Sequence, residues 1–203
     1  MLDSDAELHG VDGSDEWRAT ELNDAPGFSS DDFTGRVDGT AGGASLLLTR
    51  RGNNLSAHAR QWAFPGGRID EGETPLEAAM REAHEEVGIE LTAGDLLGRL
   101  DDFPTRSGYV MSPFVFWLRD QDPVANPDEV ASVHRIGFPE IQREDSPRLY
   151  TIPESDRAVL QVPIGGDGIF APTGAIIYQF RAVGLEGRSI RVDEYEQPVF
   201  AWK

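Results

Sequence analysis

The hydrophobic positions of this chain fall mainly into short runs, which are separated by polar segments rich in Gly, Pro, Asp and Glu. Short apolar and aromatic runs that are bounded by turn-forming residues are typical of β-strands. The pattern therefore predicts strands at residues 44–49, 62–64, 96–100, 109–118 and 130–136.

One longer segment has the period of an amphipathic helix. Its apolar residues recur at intervals of three and four positions, which places them on one side of an α-helix. We expect this stripe to pack against a core. Its members are Leu76, Ala79, Met80, Ala83 and Val87.

Both ends of this helix are marked in the sequence. Thr74 is a suitable N-cap, Pro75 is tolerated as the first helical residue, and Glu77 is placed to complete a capping box. Gly88 can end the helix in the left-handed conformation. The segment is thus predicted to be helical from Pro75 to the residue before Gly88.

The last third of the chain has a less regular pattern. Residues 145–173 contain several Pro and Gly residues, so we predict an irregular crossover or a substrate-facing loop there. A helix is predicted at residues 139–143, and a β-hairpin is predicted from two strands, residues 175–183 and 189–192, that flank Gly184 and Gly187.

Three carboxylates lie on one face of the predicted helix. Glu82, Glu85 and Glu86 are spaced i, i+3 and i+4, and like charges at that spacing repel one another and weaken a helix. A bound cation would explain such a cluster, and several hard oxygen ligands suit Mg²⁺ or Mn²⁺ better than zinc. The alternative is a solvated acidic helix face without a ligand.

These residues belong to a longer pattern. Gly67 is followed after five residues by Glu73, and after seven more by the run REAHEEVGI at residues 81–89. This pattern resembles the Nudix box, and every fixed position of the box is present. The resemblance implies a metal-dependent hydrolase of a nucleoside diphosphate linked to another group, with an α/β/α sandwich fold around a mixed sheet.

The resemblance also implies a role for each residue of the box. Glu82, Glu85 and Glu86 would bind the metal ion, and one of them would orient or deprotonate a water molecule. The backbone carbonyl of Gly67 would complete the coordination. Arg81 would pair with Glu73 and hold the carboxylates in place; the alternative for this pair is a helix-surface ion pair.

A second motif precedes the box. Leu47, Leu48, Thr49, Arg51 and the FPGG run at residues 64–67 resemble the extra motif of the coenzyme A diphosphohydrolase branch of the Nudix family. Three positions depart from that motif. Gly52 stands where the branch prefers Ser or Ala, Ser56 replaces an Arg, and Arg60 replaces a Gly. The missing Arg matters most, because a guanidinium binds phosphate oxygens well.

Weaker similarities to this branch continue downstream. Residues 105–109 and 113–115 resemble its next loop and strand, and residues 168–175 resemble the segment that leads into its last major strand. Residues 126–130 resemble the loop that supplies a further carboxylate, which makes Glu129 a candidate fourth metal ligand or general base. The alternative for Glu129 is an exposed acidic residue in a loop.

Arginines near these motifs are candidates for binding substrate phosphates. For each one taken singly, the alternative is a solvated surface arginine. The candidates are Arg51, Arg60, Arg68 and Arg106.

Composition limits the remaining possibilities. The 203 residues contain no cysteine, which excludes disulfides and thiolate metal sites, and the net charge of −18 argues against general binding to nucleic acid or to an anionic membrane. The first 32 residues hold ten acidic residues and one basic residue, and so carry half of that net charge. We therefore predict a mobile acidic extension at residues 1–35 and a single Nudix domain at residues 36–203. With no signal-peptide pattern, the expected location is the cytoplasm.

The sequence favours one substrate and leaves others open. The favoured reaction is hydrolysis of coenzyme A or acyl-coenzyme A to 3′,5′-ADP and a phosphopantetheine. A pyrophosphatase acting on ADP-ribose or another nucleoside diphosphate derivative is the second reading, because Pro104 lies fifteen residues past Ile89, about where that group has a proline. A Nudix module that binds nucleotides without turnover is the third. The oligomeric state is left open.

Overall fold

The computed structural model describes residues 2–3, 44–52, 61–118 and 121–202. The chain divides into two compact units. The first comprises Met1–Leu97 and Phe116–Pro139, and the second comprises Gly98–Val115 and Glu140–Lys203. Apart from positions 2 and 3, the predicted acidic extension at residues 1–35 lies outside the described residues.

Helices and strands alternate irregularly along the chain. In order, the strands are β1 (Leu2–Asp3), β2 (Ala44–Arg51), β3 (Trp62–Ala63), β4 (Leu96–Arg99), β5 (Phe103–Pro104), β6 (Val110–Met111), β7 (Phe114–Phe116), β8 (Val130–Gly137), β9 (Arg148–Ile152), β10 (Ser155–Ile164) and β11 (Asp167–Phe170). The helices are α1 (Pro75–Val87), α2 (Phe138–Ile141) and α3 (Thr173–Phe180), with 3₁₀ segments at Ala93–Asp95 and Val199–Ala201 and a π-helical segment at Arg181–Leu185.

In the first unit, β2 is the central strand of an antiparallel four-stranded sheet. β1 pairs with the beginning of β2, β3 pairs with its end, and β8 pairs along most of its length. Arg51, the last residue of β2, faces Val130, the first residue of β8. The residue just before β8, Glu129, therefore lies beside the end of β2.

The caps of α1 agree with the predicted helix ends. The side-chain oxygen of Thr74 accepts a hydrogen bond from the backbone N–H of Glu77 at 3.3 Å, and the Glu77 carboxylate accepts one from the N–H of Thr74 at 2.8 Å. Gly88 ends the helix with φ of 66°. A capping interaction of this kind stabilises a helix by about 1 kcal/mol, so the local sequence fixes where α1 begins and ends.

One side of α1 packs against the core of the first unit. Ala83 and Val87 are buried, as the apolar stripe predicts, but Leu76, Ala79 and Met80 are only half-buried. Val87 belongs to a cluster of buried side chains from the helix, from the segment before β8 and from β8 itself. Its buried members are Val87, Ile89, Leu118, Val130 and Val133.

The second unit contains a sheet that the sequence pattern did not predict. β9, β10 and β11 form an antiparallel sheet in the order β11–β10–β9, within residues 145–173. The prediction of an irregular loop was wrong because several of the Pro and Gly residues lie in tight turns between strands. Pro153 lies between β9 and β10, and Gly165, with φ of 57°, lies between β10 and β11.

The predicted β-hairpin at residues 175–183 and 189–192 is also wrong. The chain turns into α3 at Thr173 and continues through the π-helical segment, and residues 189–192 belong to no strand. The segment at residues 168–175 therefore leads into a helix. α3 is buried on nearly all sides, so its sequence has no polar face to reveal a helical period. At Gly174 a Cβ atom would lie 2.2 Å from the carbonyl oxygen of Ile169, so only glycine permits this close packing.

Residues 109–118 form two short strands, β6 and β7, where the sequence pattern predicted one. Ser112 and Pro113 lie between them, and a proline has no N–H to donate to a neighbouring strand. The other predicted strands and the helix at residues 139–143 are confirmed, with small changes at their ends, by β2, β3, β4, β8 and α2. Among the described residues, no helix has the length and apolar character needed to cross a bilayer.

An almost fully buried carboxylate anchors the C-terminal part of the second unit. Glu196 is 2% exposed and forms a bidentate ion pair with Arg106, in which the Arg106 Nε donates to Oε1 at 2.9 Å. The hydroxyl of Ser155 donates to the other oxygen of Glu196 at 2.8 Å. The hydrogen bonds from the Arg106 guanidinium, and to a smaller extent the one from Ser155, lower the pKa of Glu196 to about 2. Arg106 thus already has a carboxylate partner within its own unit.

We expect the substitution Arg106→Gln to lower stability above about pH 4.5 and to have a smaller effect as the solution is acidified. The pKa of Glu196 is about 2 in the folded protein, against an ordinary value of 4.5. The pair therefore contributes stability above the ordinary value, and this contribution is lost as the pH falls through the folded value. Urea unfolding measured at several pH values tests this. The exposed Arg157→Gln is the matched control, and a stability difference for Arg106→Gln that does not change with pH would contradict the prediction.

Candidate active site

Three carboxylates converge in the first unit. Glu82 and Glu86 come from the last turns of α1, and Glu129 comes from the turn before β8. One oxygen atom from each carboxylate lies within 4.8 Å of an oxygen atom of each of the others. The sequence placed Glu82 and Glu86 on one helical face, and the fold adds Glu129 to them.

Glu86 is the buried member of this group. Glu86 is only 8% exposed, and its Oε2 accepts a hydrogen bond from the backbone N–H of Gly66 at 3.3 Å. Burial raises the pKa of Glu86 to about 7, and the negative charges of Glu82 and Glu129 act in the same direction. The Gly66 N–H and the charge of Arg51 oppose this rise. Glu86 therefore lies where added positive charge would stabilise its ionised form.

Gly67 lies directly against Glu82. A Cβ atom at position 67 would be 2.1 Å from a carboxylate oxygen of Glu82, which is far inside van der Waals contact. A side chain at this position would therefore displace the Glu82 carboxylate from where it lies. The loop also places the Gly66 N–H against Glu86, so two adjacent glycines contact two of the three acids.

Arg81 links an acidic residue of the loop, Glu73, to two acidic residues of the helix, Glu82 and Glu85. Its Nε and NH2 groups donate to the two oxygens of Glu73 at 2.9 and 3.1 Å, and its NH1 group donates to both Glu82 and Glu85 at 2.9 Å. It also donates to the carbonyl oxygen of Arg68 at 3.0 Å. The hydrogen bonds from Arg81 are the main reason that the pKa of Glu73 is lowered. Arg81 thus fixes the Glu82 carboxylate and holds the loop to the helix.

Glu85 is placed differently from the other two glutamates of the helix. Its side chain is 50% exposed and its carboxylate accepts a hydrogen bond from Arg81. Among the described residues, the carboxylates that come together are those of Glu82, Glu86 and Glu129, without Glu85. Metal binding by Glu85 and by the Gly67 carbonyl stays a prediction.

Three of the candidate phosphate-binding arginines are described by the structure, and their surroundings differ. Arg51 is the last residue of β2, and its charge acts on Glu86. Arg68 is exposed in the loop before α1, and Arg106 is paired with Glu196 in the second unit. Arg60 lies outside the described residues. Of the three that the structure describes, Arg51 is the one whose charge acts on Glu86.

The sequence analysis missed two groups that contact the predicted site residues. The Gly66 N–H could not be identified, because a backbone donor has no residue signature. Asp70 lies in the box, and its carboxylate comes within 3.9 Å of the Arg81 guanidinium. Its backbone N–H donates to Glu73 at 3.0 Å. A turn-forming Asp three residues before Glu73 was the available signal.

The donor set fits a hard divalent cation. It consists of carboxylate oxygens at a spacing that one ion can bridge, and it includes Glu86, whose pKa is raised by burial and by the neighbouring negative charges of Glu82 and Glu129. Mg²⁺ and Mn²⁺ are bound in this way by one or more carboxylates, with water or substrate oxygens filling the other positions. Glu82, Glu86 and Glu129 would hold the ion.

Comparisons with known proteins identify the family of the chain. Residues 36–154 match the family profile of the NUDIX domain. The chain is 34% identical over 130 residues to Nudix hydrolase 3 of Caenorhabditis elegans, an alignment that covers 58% of this chain and 54% of that protein. It is 42% identical over 101 residues to the Nudix hydrolase NudL of Yersinia enterocolitica, covering 49% of this chain and 52% of that protein. The chain thus spans about half the length of these relatives.

A solved structure supports the fold. The MutT/nudix family protein of Enterococcus faecalis superimposes with a TM-score of 0.51 and 21% sequence identity, over 69% of this chain and 55% of that chain. At this level of identity the similarity concerns the fold alone. The predicted α/β class, with a Nudix-type sandwich, is confirmed.

In metal-free protein, the contribution of Glu86 to stability is expected to fall as the pH rises from about 4.5 to 7. Its folded pKa of about 7 lies above its ordinary value of 4.5, so the folded state binds more protons in this range, and stability is lost as the pH rises. Urea unfolding in EDTA measures this, and Glu86→Gln should remove that part of the slope. The exposed Glu71→Gln serves as the control. An unchanged slope in Glu86→Gln would contradict the assignment.

Proposed function

This chain belongs to the Nudix family, and from that premise we propose that it is a divalent-metal-dependent hydrolase of the diphosphate bond in nucleoside diphosphate derivatives. The observation that supports the proposal most directly is the convergence of Glu82, Glu86 and Glu129 within 4.8 Å. Gathering like charges costs free energy, so this arrangement is best explained by a cation that binds there. Nudix hydrolases generally need such an ion, and Mg²⁺ or Mn²⁺ suits these ligands.

A divalent ion supplies two effects at such a site: it neutralises the charge of the diphosphate and lowers the pKa of a bound water molecule. The protein residues must then hold the ion and orient the water. Arg81 fixes the Glu82 carboxylate, and the Gly66 N–H fixes that of Glu86. Glu129 is exposed, so it is accessible to a water molecule, and we propose it as the general base or as a further ligand.

Glu85 and Glu73 complete the proposed machinery. Glu85 is half exposed and lies one turn from Glu82, so we retain it as a proposed ligand or water-orienting residue. Glu73 acts through Arg81, which donates two hydrogen bonds to it. The Gly67 carbonyl is retained as a proposed ligand because its loop contacts Glu82.

Coenzyme A or an acyl derivative is the proposed substrate, with 3′,5′-ADP and a phosphopantetheine as products. The support is the similarity of residues 47–67 to the motif of that branch, together with the position of Arg51. Arg51 ends the strand that lies beside Glu129, and its charge acts on Glu86, so its guanidinium is suitably placed to bind a phosphate near the carboxylates. Arg60 and Arg68 remain proposed phosphate ligands.

A substrate panel tests the proposed reaction. The purified protein is incubated with Mg²⁺ or Mn²⁺ and, separately, with coenzyme A, acetyl-coenzyme A, ADP-ribose, NADH and nucleoside triphosphates, and the products are identified by mass spectrometry. We expect release of 3′,5′-ADP from the coenzyme A substrates. AMP and ribose 5-phosphate from ADP-ribose alone would assign the second reading instead. Nucleotide binding without cleavage under any metal would identify a non-catalytic module.

The cluster formed by Glu82, Glu86 and Glu129 should determine both turnover and metal affinity. Glu86→Gln is expected to lower kcat/KM by about 10² or more and to weaken Mn²⁺ binding, because a neutral amide is a poor ligand for a hard cation. Steady-state kinetics and calorimetric Mn²⁺ titration measure the two effects. Glu90 is exposed and lies outside the cluster of Glu82, Glu86 and Glu129, so Glu90→Gln should retain both. Near-normal turnover in Glu86→Gln would remove Glu86 from the site.

A further inference from the structure

The turn that carries Glu129 is attached to the end of α1 by backbone hydrogen bonds. The N–H of Val124 donates to the carbonyl of Val87 at 2.9 Å, and the N–H of Asn126 donates to the carbonyl of Glu86 at 2.8 Å. The last carbonyl groups of a helix have no partner within the helix. Here the turn supplies those partners, so the segment before Glu129 is held against the helix that carries Glu82 and Glu86.

Asn126 also organises the turn itself. Its carbonyl oxygen accepts hydrogen bonds from the N–H groups of Glu129 at 3.1 Å and Val130 at 2.8 Å. Its side-chain oxygen accepts a hydrogen bond from the N–H of Asp128 at 3.2 Å, an Asx-turn that closes the chain over Pro127. Residues 127–129 are exposed, so packing contributes little to their conformation. The hydrogen bonds of residue 126 therefore order this turn, and the one from the Asp128 N–H is the one that depends on the asparagine side chain.

A second anchor approaches from β2. The N–H of Gly52 donates to the carbonyl of Glu129 at 2.8 Å. A Cβ atom at position 52 would lie 3.1 Å from that same carbonyl oxygen, which is closer than ordinary van der Waals contact. Glycine at this position, where the related branch prefers Ser or Ala, thus permits the close approach of the two backbones.

We propose that Asn126 is a positioning residue for the metal site, which acts by fixing the Glu129 carboxylate relative to Glu82 and Glu86. The inference rests on the proposed function, because it assumes that these three carboxylates bind the ion. Asn126 connects the helix to the turn. Its N–H donates to the carbonyl of Glu86 at the end of α1, and its side chain and carbonyl accept hydrogen bonds within the turn that ends at Glu129. The hydrogen bond from the Gly52 N–H constrains Glu129 from the end of β2.

Mn²⁺ affinity, measured from the paramagnetic resonance signal of the free ion, tests the proposal without using activity. Removing a residue that orients a metal ligand typically lowers affinity ten- to a hundredfold, and we expect about tenfold weaker binding in Asn126→Ala. Asn126→Ser should restore much of it, because a serine hydroxyl can accept the same N–H two residues ahead. Gly52→Ala should also weaken binding, whereas Gly98→Ala, where a Cβ has open space, should not.

A double-mutant cycle separates positioning from general structural damage. If Asn126 acts through Glu129, then Asn126→Ala should change Mn²⁺ affinity by less than about twofold when it is introduced into Glu129→Gln. Equal losses in both backgrounds would overturn the proposal, and so would wild-type affinity in Asn126→Ala when Glu129→Gln binds weakly. Unchanged affinity in Glu129→Gln would remove Glu129 from the site. A wild-type protein that binds no Mn²⁺ would overturn the proposed function together with the inference.

Discussion

The repulsion among three gathered carboxylates is the constraint on which the rest of the site depends. Glu82, Glu86 and Glu129 are brought to one place from a helix and a distant turn, although their charges disfavour it. Each is held by a different device. A guanidinium binds the Glu82 carboxylate, a backbone N–H binds the Glu86 carboxylate, and the backbone N–H and carbonyl of Glu129 are hydrogen-bonded to Asn126 and Gly52. The local architecture therefore maintains a charge arrangement that is unfavourable until a cation is present.

The part of this arrangement that is local in sequence could be predicted from the sequence. The caps of α1 and the shared face of Glu82 and Glu86 follow from helical periodicity and from the side chains at positions 74, 77 and 88. What helical spacing alone could not predict is that the Glu129 carboxylate, and not that of Glu85, lies beside those of Glu82 and Glu86. The spacing treats Glu85 as equivalent to its neighbours, but Arg81 binds its carboxylate at the helix surface, and Glu129 arrives through the pairing of β8 with β2.

In the second unit, the hydrophobic pattern of the sequence could not distinguish a buried helix from a strand. α3 is apolar on almost every side because it is buried on almost every side, so it has no periodic polar face and was interpreted as a strand. The same limit affected Arg106. Phosphate binding by Arg106 stays a prediction. What its sequence neighbourhood did not reveal is that its guanidinium binds Glu196, ninety residues further along the chain, because no local pattern indicates such a contact. Residues whose partners are distant in sequence are identified by tertiary structure alone.

Arg81 serves four different acceptor groups at once, and this restricts what could replace it. Its contacts use the planar fork of the guanidinium: one edge binds both oxygens of Glu73, and the remaining N–H groups reach Glu82, Glu85 and a backbone carbonyl. A lysine would keep the positive charge, but its single ammonium group has three hydrogens at one point and cannot span these acceptors. Conservation of charge is therefore insufficient at this position, and the shape of the cation is what joins the loop to the helix.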